Sequence, residues 1–102
     1  MRDLVLAANW KMQVTPAEAR EFAADFLTRV RPRLGRHLWF FPPSVSLEST
    51  VRSFLDRADV RVGAQDVYWE PKGAFTGEVS VPMLQDSCRY VIIGHSERRQ
   101  FF

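Results

Sequence analysis

The sequence predicts an α/β fold in which parallel strands alternate with helices as a βαβαβαβ unit. Four short apolar runs have the length and composition of buried strands, and they cover residues 4–8, 38–41, 60–65 and 90–93. The segments between them carry helix-start signals and apolar residues at helical spacing. Strands that are separated by helices form a parallel sheet, because each crossover returns the chain to the same end of the sheet.

The first strand and the first helix have the clearest patterns. Residues 4–8 are continuously apolar, which is typical of a strand that is buried on both faces. Thr15 is the expected N-cap of the following helix, with Pro16 at the first helical position and Glu18 completing a capping box. Apolar residues at helical spacing then give one apolar stripe, formed by Ala19, Phe22, Ala23, Phe26, Leu27 and Val30.

The rest of the chain repeats this alternation with shorter elements. The second strand stops at Pro42, because proline cannot continue a ladder of hydrogen bonds. The inner face of the second helix is expected to comprise Leu47, Val51, Phe54 and Leu55. A long irregular loop, residues 66–77, follows the third strand, and Ser80 is the expected N-cap of a short third helix. The fourth strand ends at Gly94.

Two architectures fit this order of elements. One is an open, flavodoxin-like sheet, and the other is part of an eight-stranded barrel. No glycine-rich phosphate loop follows the first strand, where a dinucleotide-binding fold would carry one. A nucleotide or flavin binder with its ligand beside Asn9 and Lys11 therefore remains only as an alternative.

The composition limits the classes of partner and compartment. With 102 residues, 46% of them hydrophobic, the chain can form one modest core. A net charge of +2 is too small to indicate a nucleic-acid partner. The single cysteine, Cys88, excludes an internal disulfide framework and a multi-cysteine metal site, which suits a reducing cytoplasm. No apolar run approaches membrane-spanning length, so no membrane partner is expected.

Polar residues follow the ends of several predicted strands. Asn9 and Lys11 come just after the first strand, Gln65 ends the third, and His95 follows the fourth. In either architecture these side chains gather at one end of the sheet, where α/β proteins place their chemistry. An amide, an ammonium and an imidazole together suit a small anionic carbonyl substrate.

The residues alone leave two interpretations of His95. Ser96 is the expected N-cap of a helix after the fourth strand, so that His95 would face the positive end of that helix. Such a field disfavours protonation and leaves the imidazole able to donate a hydrogen bond to a carbonyl. The alternative is a histidine that is satisfied by the backbone at the end of a strand and followed by a solvated run of charges.

Five motifs, in their order and spacing, resemble those of triosephosphate isomerases. They are AANWKM (7–12), FPP (41–43), GAQDVYW (63–69), KGAFTGE (72–78) and YVIIGHSERR (90–99). The resemblance covers essentially the whole chain. It implies the N-terminal half of a TIM (β/α)8 barrel from an enzyme of glycolysis and gluconeogenesis. This enzyme interconverts dihydroxyacetone phosphate and D-glyceraldehyde 3-phosphate, and the resemblance implies no metal and no cofactor.

The resemblance also implies roles for the site residues. Asn9 and Lys11 would bind the phosphorylated substrate, and Lys11 would add catalytic positive charge. His95 would polarise the carbonyl and shuttle protons as a neutral imidazole, a property established for this family. Ser96 would cap the helix beside His95, and Glu97 would be the carboxylate partner of Lys11.

The loop at residues 66–78 resembles the segment through which these enzymes form homodimers. Aromatic side chains on a loop punctuated by glycine and proline are typical interface anchors. Thr76 would reach the partner's active site, while Glu78 and Arg98 would pair across the interface. The full expected interface set is Met12, Gln65, Tyr68, Trp69, Phe75, Thr76, Glu78 and Arg98. The alternative is that the aromatic residues fold back onto their own chain.

The chain departs from a complete enzyme in its length. Barrels of this kind typically need about 250 residues, so residues 1–102 are expected to form a single partial domain with four strands and three helices. The missing C-terminal half would close the barrel and supply the carboxylate that abstracts the substrate proton. The fragment is therefore expected to be inactive alone, with open apolar edges at its first and fourth strands. The alternative is a non-catalytic half-barrel that acts as an assembly or interaction module.

One local departure concerns the turn at residues 86–89. The glycine expected between the third helix and the fourth strand is absent. Glycine adopts a left-handed helix cap at little cost, so a strained or reshaped turn is expected here. This places the register of the fourth strand in question.

Overall fold

The computed structural model describes residues 2–102 and contains three strands and four helices in that range. The sheet has the order β1-β2-β3, and both pairs of neighbouring strands are parallel. None of the helices in this range combines the length and the apolar character that crossing a membrane requires. The elements are β1 (Leu4–Asn9), α1 (Pro16–Arg29), β2 (Arg36–Phe41), α2 (Ser44–Ser53), β3 (Val60–Val62), α3 (Val81–Gln85) and α4 (Ser96–Phe101).

The register of the sheet aligns the carboxyl ends of its strands. Asn9, the last residue of β1, is paired with Phe41, the last residue of β2, and β2 pairs with β3 from Leu38 to Phe40. The predicted parallel α/β fold is confirmed, and the sheet is not closed. The ends of the strands therefore lie side by side at one edge.

An aromatic core packs helices α1 and α2 against the sheet. The Phe40 ring of β2 stacks on Phe54 with ring centroids 5.3 Å apart. Phe26 of α1 meets both rings edge-on, at 5.5 and 5.6 Å, a geometry that adds to the stabilisation from burial. The buried residues of this cluster are Ala23, Leu38, Phe40, Phe54 and Val60.

Helix α1 begins as its sequence predicts. The Thr15 hydroxyl accepts a hydrogen bond from the amide of Glu18 at 3.2 Å, and the Glu18 carboxylate accepts one from the amide of Thr15 at 3.0 Å. These reciprocal bonds satisfy two N–H groups that lack partners within the helix. They also hold the pKa of Glu18 below its usual value.

Replacing Thr15 by alanine is expected to destabilise the protein by about 1 kcal/mol, since the side chain of an N-cap accounts for roughly that amount. Chemical denaturation followed by far-UV circular dichroism measures the change. Thr28→Ala, in the last turn of the same helix, is the control, because the Thr28 hydroxyl bonds only to the Asp25 carbonyl within the helix. Equal losses from the two variants would contradict the capping account.

Helix α2 differs in part from its predicted inner face. Leu47 and Phe54 are buried, but Leu55 lies beyond the end of the helix and is exposed. Two hydroxyl residues occupy the most buried positions instead. Ser46 donates to the Val14 carbonyl at 2.6 Å, and Thr50 donates to the Ser46 carbonyl at 2.7 Å. The pattern of apolar residues did not predict these two positions, because both residues are polar. They can be buried because each hydroxyl has its own acceptor.

Strand β1 is an open edge. The prediction that it is buried on both faces is wrong, because Leu4, Val5 and Leu6 are 54%, 46% and 50% exposed. The strand pairs only with β2, so its other edge has no neighbour within residues 2–102. The separate expectation of an unpaired apolar edge at this strand is confirmed.

The predicted fourth strand is reduced to a single bridge. Val91 is paired with Ala64, and the Ala64 amide donates to the Tyr90 carbonyl at 2.9 Å. A Cβ atom on Gly63 would lie 2.7 Å from that same carbonyl, so glycine is needed for this close approach. Residues 90–93 therefore form one isolated bridge instead of a strand, and β3 is limited to three residues.

The turn before this bridge is reshaped but not strained. Asp86 caps α3 in the ordinary right-handed conformation, with φ −69° and ψ −23°. The amides of Ser87 and Cys88 both donate to the Leu84 carbonyl, at 2.9 and 2.8 Å. The chain therefore turns without the left-handed residue that a glycine would have supplied, so that of the two expected outcomes, a strained or a reshaped turn, the reshaped turn is observed.

Candidate active site

Four polar side chains lie where the strands end. Asn9 is the last residue of β1, Lys11 lies two residues beyond it, Gln65 follows β3, and His95 directly precedes α4. The register of the sheet brings the first three together, and the Ala64–Val91 bridge brings the fourth alongside them. The predicted gathering of these residues at one end of the sheet is therefore observed.

Lys11 is held in an uncommon backbone conformation. Its φ of +57° lies in the left-handed region, which costs a residue with a side chain roughly 1–2 kcal/mol. The Asn9 side-chain oxygen accepts a hydrogen bond from the Lys11 amide at 2.9 Å. Strain that is maintained in this way is common at functional sites.

The ammonium of Lys11 meets Glu97 across the site. The Lys11 Nζ atom lies 2.6 Å from Glu97 Oε1, an ion pair between residues that are 86 positions apart in the sequence. The ammonium of Lys11, and to a smaller extent the imidazole of His95, holds the pKa of Glu97 below its usual value. Both side chains remain partly exposed to solvent, so the pair orients the two charges more than it stabilises the fold.

His95, and not Ser96, caps helix α4. His95 has extended backbone angles, and its Nδ1 atom accepts a hydrogen bond from the Glu97 amide at 3.1 Å. The predicted N-cap role of Ser96 is wrong, because Ser96 is already the first residue of the helix and the imidazole supplies the acceptor. An Nδ1 atom that accepts is unprotonated, so the ring is neutral in this geometry and carries its proton on Nε2.

Gln65 links the ends of the strands. Its Nε2 atom donates to the Lys11 carbonyl at 2.7 Å and to the Phe41 carbonyl at 2.9 Å. Both bonds lie within the chain, whereas the resemblance placed Gln65 in a subunit interface. Its interface contacts stay a prediction.

The loop at 66–78 is partly folded onto itself. The Tyr68 ring packs against Phe75 with centroids 4.7 Å apart, whereas Trp69 is 85% exposed. Tyr68 is also tied to the body of the protein by a parallel bridge to Ser80. The contact between Tyr68 and Phe75 agrees with aromatic residues that fold back onto their own chain. The exposed Trp69 agrees with an interface role.

Arg98 has a partner that the sequence did not indicate. Its guanidinium lies 3.2 Å from the Asp66 carboxylate, so Arg98 forms its ion pair within the chain. The expected pairing of Arg98 with Glu78 across an interface stays a prediction. Asp66 gives no signal in the sequence, because its partner is 32 residues away and depends on the tertiary fold.

A cleft separates the loop from the ends of the strands. It has a volume of about 260 Å³ and is lined by residues that include Met12, Gln65, Asp66, Glu78 and Arg98. Met12 is almost fully exposed at its rim, and Thr76 is exposed on the loop nearby. Four of the residues expected in an interface, Met12, Gln65, Glu78 and Arg98, thus line this cleft.

The fold and the site together define a parallel α/β protein with amide, ammonium and imidazole groups at the carboxyl ends of its strands. The family model described as triosephosphate isomerase matches residues 4–102. The chain therefore belongs to the triosephosphate isomerase family.

Curated relatives agree with the family match and show how much of a relative the chain covers. A triosephosphate isomerase of Moorella thermoacetica is 50% identical over 106 residues, which cover all of this chain and 41% of the relative. A triosephosphate isomerase of Symbiobacterium thermophilum is 50% identical over 103 residues, and the chain covers 40% of that relative's length. A triosephosphate isomerase of Roseiflexus is 48% identical, and the chain again covers 40% of the relative's length. The chain thus spans about two fifths of the length of these relatives.

Proposed function

We propose that this chain supplies the substrate-recognition half of a triosephosphate isomerase active site. The reaction is the interconversion of dihydroxyacetone phosphate and D-glyceraldehyde 3-phosphate, in glycolysis and gluconeogenesis. The observation that carries the proposal is the Lys11 ammonium, which is fixed 2.6 Å from Glu97 at the end of β1. There its positive charge can attract the substrate phosphate and stabilise the negative oxygen that develops during proton transfer.

His95 has the protonation pattern that the reaction requires. With Nδ1 occupied by the Glu97 amide, the Nε2 proton is free to be donated to a substrate oxygen. A neutral imidazole can polarise a carbonyl and then pass a proton between the two oxygens of the intermediate. Asn9 supports this arrangement by holding Lys11, and its amide nitrogen can also donate to the substrate.

The proton on the substrate carbon needs a base that we assign to the complementary part of the barrel. Glu97 is paired with Lys11, and Asp66 is paired with Arg98. Neither carboxylate is free to approach a substrate carbon without breaking its ion pair. We assign the third carboxylate of the cleft, Glu78, to the subunit interface. A general base must lie within hydrogen-bond reach of the proton that it removes.

Reassembly tests this function. Mixing the chain with a separately produced C-terminal portion of a homologous triosephosphate isomerase is expected to generate isomerase activity that neither part has alone. A coupled assay with D-glyceraldehyde 3-phosphate measures the rate. If circular dichroism shows that the two parts associate and yet no isomerisation occurs, the proposed function is wrong.

We further propose that the complete enzyme is a homodimer that uses the loop at 66–78. What supports the proposal is the exposed Trp69 on a loop that borders the cleft at Met12, Gln65 and Arg98. Large exposed aromatic residues are typical anchors of protein interfaces. Thr76, exposed on the same loop, would then contact the partner's site.

Replacing Trp69 by glutamate is expected to weaken dimerisation of the reassembled enzyme by at least about tenfold, since buried aromatic anchors dominate interface energies. Sedimentation velocity over a concentration series measures the dissociation constant. Leu34→Glu is the matched control, because Leu34 is fully exposed in the turn before β2, at the opposite end of the sheet. A dimer that tolerates a glutamate at position 69 would rule out this anchor.

A non-catalytic assembly module is the second candidate, and the open apolar edge of β1 favours it. It predicts a monodisperse chain that unfolds cooperatively and gains no activity with the complementary half. The reassembly assay therefore separates the two candidates.

We place the enzyme in the cytoplasm. Cys88 is a free and buried thiol, which suits a reducing compartment. Fractionation of cells that produce the protein checks this location.

A further inference from the structure

The side-chain amide of Gln65 joins the carboxyl ends of all three strands. Gln65 follows β3, Phe41 ends β2, and Lys11 follows β1. One NH₂ group donates to the carbonyls of both Phe41 and Lys11, at 2.9 and 2.7 Å. The Phe41 carbonyl accepts a second hydrogen bond from the Trp10 amide at 3.1 Å, so the two chain ends are also connected directly.

The orientation of this amide is fixed by its surroundings. Both neighbours are carbonyl oxygens, which only accept hydrogen bonds, and an amide offers two donor protons on nitrogen and none on oxygen. Turning the amide over would place its oxygen against two other oxygens and would remove both hydrogen bonds. Each proton of the Gln65 nitrogen therefore has one acceptor.

Lys11 needs such support because its left-handed backbone is costly. The Asn9 side chain holds the amide of Lys11, and Gln65 holds its carbonyl, so the peptide groups on both sides of the residue are fixed. Without the bond to Gln65, Lys11 is expected to relieve this strain by returning to a negative φ. That rotation would carry the Lys11 side chain away from Glu97.

We propose that Gln65 is a positioning residue: by holding the Lys11 carbonyl and the Phe41 carbonyl together, it keeps the Lys11 ammonium in the site. The proposal deepens the proposed function and rests on it for the identity of the substrate that Lys11 meets. It does not require a partner subunit, because every contact lies within the chain.

The test replaces Gln65 by methionine, which has a similar shape and no donor. In the 102-residue chain, the strong intraresidue cross-relaxation between the Lys11 amide proton and Hα, a sign of positive φ, is expected to weaken. The pKa of Glu97, measured from its carboxyl carbon by NMR, is expected to rise towards its usual value because the ammonium has moved away. His95, whose ring is 3.9 Å from Glu97, is titrated in the same spectra to separate its contribution.

Two controls keep the test decisive. Gln85→Met makes the same change at an exposed position on α3 and is expected to leave both signals unchanged. The amides of the Thr15–Glu18 capping box report whether the fold is intact. If Gln65→Met does not fold, Gln65→Asn is used. It keeps the donor but is one methylene too short, and it is expected to shift both signals in the same direction.

Unchanged Lys11 geometry and an unchanged Glu97 pKa in a folded Gln65 variant would overturn the proposal. Neither signal depends on isomerase activity. If the reassembled protein shows no isomerisation while Gln65→Met still displaces Lys11, the proposed function fails and the positioning role stands. If the reassembled protein is active and Gln65→Met also displaces Lys11, the same substitution in the reassembled enzyme is expected to lower kcat/KM by about tenfold or more. Displacement of a positioned group has an effect of this size.

Discussion

Replacing Lys11 by methionine is expected to lower kcat of the reassembled isomerase by about a hundredfold or more. Methionine keeps much of the length and volume of lysine but removes its charge. The loss follows because a fixed charge beside the developing oxyanion typically contributes that much to the rate. Coupled-assay kinetics of the Lys11→Met chain, mixed with the same C-terminal portion, measure the effect.

The stability of the Lys11→Met chain is expected to stay within about 0.5 kcal/mol of the unchanged chain, because its ion pair with Glu97 is exposed. Lys72→Met is the matched control, since Lys72 is the other lysine of the sequence and is exposed on the loop. It is expected to leave kcat within twofold. A Lys11→Met enzyme with full activity would mean that the charge at the end of β1 takes no part in the reaction.

Replacing Asp59 by asparagine is expected to destabilise the chain by about 3 kcal/mol. Asp59 accepts two hydrogen bonds from Arg57, at 2.8 and 2.9 Å, and the two side chains are only 9% and 11% exposed. Arg57 also donates to the Val30 carbonyl at the end of α1. Breaking a part-buried ion pair from one side leaves a charge that is largely shielded from water without its partner, which is the costly case. Urea denaturation measures the change.

Asp25→Asn is the control, because Asp25 pairs with Arg29 on the exposed face of α1 and such pairs contribute little. It is expected to change stability by less than about 0.5 kcal/mol. A double replacement, Arg57→Met with Asp59→Leu, is expected to recover most of the loss, since it leaves no charge unpaired. Similar losses from Asp25→Asn and Asp59→Asn would show that burial does not matter here.

The Arg57–Asp59 pair also predicts a dependence of stability on pH. Hydrogen bonds from Arg57 hold the pKa of Asp59 below its usual value in the folded chain. The folded state therefore binds this proton less readily than the unfolded state. The stabilisation is fully present above the usual pKa of an aspartate, and it is lost as the pH falls through the lowered value. In Asp59→Asn this acid-dependent part of the stability curve is expected to disappear.

Local patterns predicted the elements whose causes are local. The capping box of Thr15 and Glu18, the parallel order of the strands and the N-cap at Ser80 all depend on neighbouring residues or on connection length. The burial of β1 was not predictable in this way. Whether an apolar strand is covered depends on what packs beside it, and here one edge has no neighbour within the described residues.

Which residues form the site could be predicted from the sequence, but several of the contacts between them could not. The motifs placed Asn9, Lys11, Glu97 and His95 together, and the Lys11–Glu97 ion pair is present in the structure. The cap at His95 was missed because serine is the commoner N-cap and a histidine nitrogen can also accept. The bonds of Gln65 were missed because their acceptors are backbone carbonyls, which carry no sequence signal.

The most direct test of this account is the rate of isomerisation by the 102-residue chain alone. We propose that the chain binds and polarises the substrate but has no base for the proton on carbon. Purified chain at high concentration, in the coupled assay with D-glyceraldehyde 3-phosphate, is expected to give no rate above that of buffer. Turnover by the isolated chain that approaches that of the reassembled enzyme would contradict the account, because the base would then lie within these residues.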